Sequence, residues 1–176
     1  MRVVIVYESM FGTTHSVADV VGEVAGSRGE VAVVPVSEAT PEVIQGADLV
    51  IVGGPTHVHG LSWSSTREEA ESEAEKYGDL ALDPDAEGPG LRDWLHQLGQ
   101  VANAPAAAFD TRLHGPGALR GRASKGIDRR LRHHGFRTII EPESFLVDKE
   151  NHLMDGEVER ARAWAESLFD RLMAGD

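Results

Sequence analysis

The 176-residue chain contains no cysteine. Disulfides, cysteine-ligated zinc, iron-sulfur clusters and thiol catalysis are therefore excluded, and the absence fits a reducing compartment. Long hydrophobic runs are missing too. None approaches the ~20 apolar residues that a helix needs to cross a bilayer, and the N-terminus enters a strand-like segment without a charged and apolar leader. A soluble, cytoplasmic protein is expected. There is no Gly-x-Ser-x-Gly elbow, which argues against a serine hydrolase. Basic residues are outnumbered, 17 against 29 acids, for a net charge of -12. That balance disfavours nonspecific nucleic-acid binding and allows steering toward a basic protein partner.

The charge is unevenly placed. Residues 64–90 hold nine acids and two bases, whereas residues 111–137 hold eight bases and one acid. Solvated helix faces are the plainest reading of both stretches. The length suits one domain with a continuous core.

The chain opens on Val3-Val4-Ile5-Val6-Tyr7, an apolar and largely β-branched run. Glu8-Ser9-Met10-Phe11-Gly12-Thr13-Thr14 follows, and then Val17, Val20, Val21, Val24 and Ala25 at helical spacing. This pattern predicts a strand, an anion-cradling turn and a helix N-terminus. Val31–Val36 is a second strand, placed at an edge by Pro35. Thr40-Pro41 starts a short helix that is over by Gly46. Leu49–Val52 reads as a strand covered on both faces. The capping-box spacing of Ser65 to Glu68 opens a polar helix through about Tyr77, inside an acidic insertion.

Leu91, Trp94, Leu95 and Leu98 give the next helix, Ala104–Phe109 a strand, and Gly121–His134 a basic helix stopped by Gly135. The helix end at Arg132-His133-His134 places positive charge where the dipole favours it. Thr138–Ile140 and Ser144–Val147 form a last strand interrupted near Pro142. Asp155 caps a final helix. Met154, Trp164 and Phe169 read as packing residues. Strands alternating with helices imply a doubly wound parallel α/β sheet, one domain over 1–176, with ligands bound beyond the carboxyl ends of the strands. Three loops are candidates there, after strands one, three and four.

The first loop has no Walker lysine and too few glycines for a dinucleotide fingerprint. Its hydroxyls (Ser9, Thr13, Thr14, with Ser16 nearby) and loop N–H groups at a helix start can hold a phosphate without a cation. An ordinary cap by Thr13 or Thr14 is an equal reading of the same residues. His57 and His59 lack a third ligand, so a metal site is rejected.

Ser9-Met10-Phe11-Gly12-Thr13-Thr14 resembles the phosphate loop of the flavodoxin-like family. Gly53-Gly54-Pro55-Thr56-His57 is similar to the segment that passes the flavin ring in that family. The likeness covers nearly the whole chain in element order. It implies a sheet of order 2-1-3-4-5, FMN as cofactor, and electron transfer between a reductase and an acceptor protein.

Carried onto this chain, it implies cofactor contacts from Ser9, Met10, Phe11, Gly12, Thr13 and Thr14. Further contacts are implied from Pro55, Thr56, His57, Val58, His59, Gly60 and Trp63, and from Asp110, Thr111, Arg112, His114 and Gly115. Phe11 departs from the hydroxyl common at its position, and the third loop lacks an aromatic, which leaves Trp63 either to stack on the ring or to anchor the insertion, two equal readings. Arg112 would raise the flavin potential if it lay by the pyrimidine edge, and would otherwise pair with the acidic insertion. Two other functions share the fold: an FMN-dependent NAD(P)H:quinone reductase, suggested by Leu113-His114-Gly115, and a binding module without FMN.

Overall fold

The computed structural model describes residues 1–56, 83, 90–115 and 121–175. The expected acidic helix and the candidates His57, Val58, His59, Gly60 and Trp63 lie outside these residues. β1 (Arg2–Tyr7) is buried from Val3 onward and pairs in parallel on both sides, with β2 (Glu30–Pro35) and β3 (Leu49–Pro55). Beyond β3 comes β4 (Pro105–Leu113), and on its far side two short parallel segments, β5 (Arg137–Thr138) and β6 (Glu143–Val147). The order is β2-β1-β3-β4-β5, with β6 also on β4. The anticipated 2-1-3-4-5 sheet is thus present, its last strand divided in two around Ile139–Pro142. Pro35 lies on the edge strand, where its missing N–H costs no ladder bond.

Alternation along the strands sends successive side chains to opposite faces. Val3, Ile5 and Tyr7 join Leu49, Ile51, Ala107 and Phe109 beneath α1 (Thr13–Gly26) and α5 (Glu157–Ala174). Val4, Val6, Val50, Val52, Ala106 and Ala108 meet α2 (Pro41–Ile44), α3 (Leu91–Gln97) and α4 (Ala123–His133) on the other face. Phe109, Phe145 and Trp164 pack edge to face, with centroids 6.0–6.1 Å apart. Phe109 has space because Gly53 faces it; a Cβ at Gly53 would stand 2.0 Å from the ring.

Two boundaries and one burial differ from the sequence reading. Asp110, Thr111, Arg112 and Leu113, expected in a loop, continue β4, because β3 and β6 pair with them from both sides. The last helix is capped by Gly156 in the left-handed region, not by Asp155. Met154 is 36% exposed, so unlike Trp164 and Phe169 it is not a core residue. Among the described residues, no helix is long and apolar enough to cross a membrane.

Candidate functional site

At the carboxyl edge of the sheet, the ends of β3, β4 and β6 and the segments that follow β1, β3 and β6 enclose a cleft of about 220 Å³. Ser9, Met10, Phe11, Thr13 and Thr14 line one wall, and Pro55, Thr56, Thr111, Arg112 and Leu113 another. Val147, Asp148, Lys149 and Asn151 complete it. The sequence reading missed this last group. Its signal was available, since these residues follow the last strand at the same sheet edge as the other three loops.

The first loop crosses from β1 to α1 through Gly12, the helix N-cap, at φ +81. Glycine meets no steric penalty in that left-handed conformation. No side chain caps the helix among the described residues. The threonines, read as possible caps, are used differently. Thr14 Oγ1 lies 2.7 Å from Thr111 Oγ1, and Thr13 Oγ1 donates to the carbonyl of Asn151, so the two hydroxyls fasten the loop to β4 and to the segment after β6. Ser16 Oγ donates back to the Gly12 carbonyl at 3.0 Å. Ser9 is 1% exposed, and its Oγ has no hydrogen-bond partner among the described residues. A buried hydroxyl lining a cleft at an uncapped helix start fits an anion, because it leaves a donor to be satisfied from the cleft.

The other helices at this edge are treated differently. Glu8 Oε2 accepts the N–H of Leu91 at 2.7 Å, putting a carboxylate at the start of α3. At the start of α4, Ser124 N–H donates to Asp110 Oδ2 at 2.8 Å and Ala123 N–H to Thr56 Oγ1 at 2.9 Å, while the Thr56 hydroxyl donates to Asp110 Oδ2 at 3.1 Å. Asp110 has no exposed surface and sits behind the cleft wall. Burial pushes its carboxyl above the usual aspartate range, against the pull of the donors that surround it.

Arg112 lines the cleft with Nη1 on the carbonyls of Leu113 (3.3 Å) and Gly115 (2.9 Å); its buried Nε has no partner among the described residues. Those carbonyls fix a full positive charge at the mouth. His114 is exposed past the end of β4, its N–H donating to the Val147 carbonyl at 2.9 Å. Gly115 serves through its carbonyl. Thus nine of the expected residues share one cleft, Asp110 backs it, and Gly12, His114 and Gly115 border its loops.

No family model matches the chain, and no curated protein does. Solved structures do. Oxidised flavodoxin 2 from Bacillus cereus superimposes with a TM-score of 0.66 at 21% identity, over 97% of this chain and 99% of that one. This chain has the flavodoxin-like fold. A WrbA-like flavodoxin from Agrobacterium tumefaciens gives 0.63 at 18% identity over 99% of both chains. Rubredoxin oxygen:oxidoreductase from Desulfovibrio gigas gives 0.60 at 21% identity, over 98% of this chain and 36% of that one. In the flavodoxin-like order, β1 and β3 flank the switch point where ligands enter such sheets, and the cleft lies there.

Proposed function

We propose that the chain is a single-domain, cytoplasmic FMN-binding redox protein that carries electrons between a reductase and an acceptor protein. The observation that carries the reading is the buried Ser9 Oγ, without a hydrogen-bond partner among the described residues, beside a start of α1 that no described side chain caps. Ser9 and the loop N–H groups from Met10 to Thr14 would hold the phosphate, with the helix dipole in support. Pro55, Thr56, Thr111 and Arg112 would line the flavin, with His57, Val58, His59, Gly60, Trp63, His114 and Gly115 as the further wall. Bound FMN supplies the redox chemistry, so no protein acid or base is needed. Arg112 contributes fixed positive charge, which favours electron gain by a bound flavin. The acidic insertion at 64–90 would orient a basic partner.

Purified protein should be yellow and release FMN on denaturation. Ser9→Ala removes one charge-assisted hydrogen bond, worth roughly 1.5–3 kcal/mol, so FMN affinity should fall about 10–100-fold while riboflavin, which has no phosphate, is little affected. Colourless protein that takes up no added FMN would remove the reading. Rapid NADPH oxidation with a benzoquinone by the protein alone would replace the carrier with a quinone reductase.

A further inference from the structure

Two helix starts at the sheet edge carry a neighbour's carboxylate. A third carboxylate, Asp83, reaches the start of α1 from the acidic stretch. Its side chain is 1% exposed, and its Oδ2 lies 3.3 Å from Nδ1 of His15 in the first turn of α1. The same oxygen is 3.9 Å from where a Cβ on Gly12 would stand, and the Asp83 N–H donates to the Met10 carbonyl at 2.7 Å. Asp83 is not among the residues lining the cleft. It therefore approaches the phosphate loop without entering the space an anion would fill.

His15 is held for this contact. Its ring stacks on Tyr7 with centroids 4.3 Å apart and planes at 18°, and its Nε2 is 3.1 Å from the Tyr7 hydroxyl. When the Tyr7 O–H donates to Nε2, the ring proton lies on Nδ1, facing Asp83. Among the described residues, Asp19, 3.7 Å from Nε2, is the other carboxylate in range. A negative charge this near the α1 start opposes a second one in the loop, and among the described residues the His15 ring is a group placed to offset it.

We propose that Asp83 and His15 form a latch beside the anion loop that sets how strongly that loop binds an anion. Both are positioning residues with opposite signs: Asp83 weakens anion binding, and His15 strengthens it by compensating Asp83. The proposal rests on reading the Ser9–Thr14 loop as a phosphate site.

Two measurements test it. In flavin fluorescence titrations, Asp83→Asn should bind FMN three- to tenfold more tightly and His15→Gln three- to tenfold more weakly, with riboflavin within twofold in both. The double variant should return to wild-type affinity or better. A merely structural role would weaken both single variants and both flavins alike, and that result overturns the proposal. The second measurement needs no flavin: amide exchange at residue 83 in the full chain, with and without millimolar inorganic phosphate. Phosphate should speed exchange at this amide at least threefold in the wild type and leave it unchanged in Asp83→Asn, whose neutral side chain is not repelled. Unchanged wild-type exchange overturns the latch. A protein that shows the phosphate effect yet binds neither flavin keeps the latch and loses the FMN reading. If Asp83→Asn fails to fold, the fall in FMN affinity in His15→Gln and the wild-type exchange decide the matter.

Discussion

Asp110 is a carboxylate without exposed surface, and the work it does is to receive Ser124 N–H and the Thr56 hydroxyl where α4 begins. Its type was visible in the sequence but its direction was not. A polar Asp-Thr-Arg run after an apolar strand reads as a loop, and nothing in that spelling says that β3 and β6 will extend the ladder around it. The same limit applied to the reading of Thr13 and Thr14 as caps, since their hydroxyls fasten the loop instead. Side-chain direction depends on neighbours far away in the chain; Asn151 stands 138 residues from Thr13.

Because burial raises the Asp110 carboxyl in the fold above its unfolded value of about 3.9, the sign of its linkage is fixed. Its contribution to stability is fully present below the unfolded value and is lost as pH rises through the higher folded one. Asp110→Asn keeps an oxygen for Ser124 and carries no proton to lose. The stability of the variant relative to wild type should therefore grow as pH rises from about 4 and level off once wild-type Asp110 is ionised. Urea midpoints at pH steps from 4 to 8 measure this, and a difference that shrinks with pH contradicts it.

The elements were far more legible than the contacts. β1 and β3 announced themselves as continuous apolar runs because a strand covered on both faces needs no polar alternation. α4 was legible at its end. Gly135 at φ +86 follows the C-cap His134, its N–H donates to Arg132 O, and Phe136 N–H donates to Leu131 O, both at 3.1 Å. This is a Schellman closure whose apolar partners, Leu131 and Phe136, are buried together. The division of the last strand was legible only as a break near Pro142, since two short segments of this length carry almost no periodicity.

Two glycines at helix ends separate the causes. Gly135 is left-handed, and a Cβ there would meet the Val101 carbonyl oxygen at 2.2 Å. Gly135→Ala combines the left-handed penalty of ~1–2 kcal/mol with an overpacking cost of ~1–3 kcal/mol, so a loss of about 2–5 kcal/mol is expected. Gly26, the last residue of α1, has no positive φ and open space around its Cβ position. Gly26→Ala should be neutral or stabilise by up to about 1 kcal/mol. Denaturant unfolding of the pair checks both signs; equal losses would mean that helix-end glycines are not distinguished by conformation in this protein.

At the scale of the molecule, the walls of the cleft run from Ser9 to Asn151 and come from the ends of β1, β3, β4 and β6. No part of the chain can hold that arrangement alone, because each strand owes its register to its neighbours. A ligand bound there recognises only the folded state, so its full binding free energy above Kd adds to stability. If the anion loop is a phosphate site, FMN at 100 times Kd adds ~2.7 kcal/mol. For a chain of this length each kcal/mol raises Tm by roughly 2–4 °C, so FMN should raise Tm by about 5–10 °C. Riboflavin at the same concentration forgoes Ser9, the loop N–H groups and the α1 dipole, so its shift should be clearly smaller, and Ser9→Ala should bring the FMN shift down toward it. Thermal unfolding followed by circular dichroism reads all three. Equal shifts for FMN and riboflavin in the wild type would place the binding energy on the ring alone and refute a phosphate role for the loop between β1 and α1.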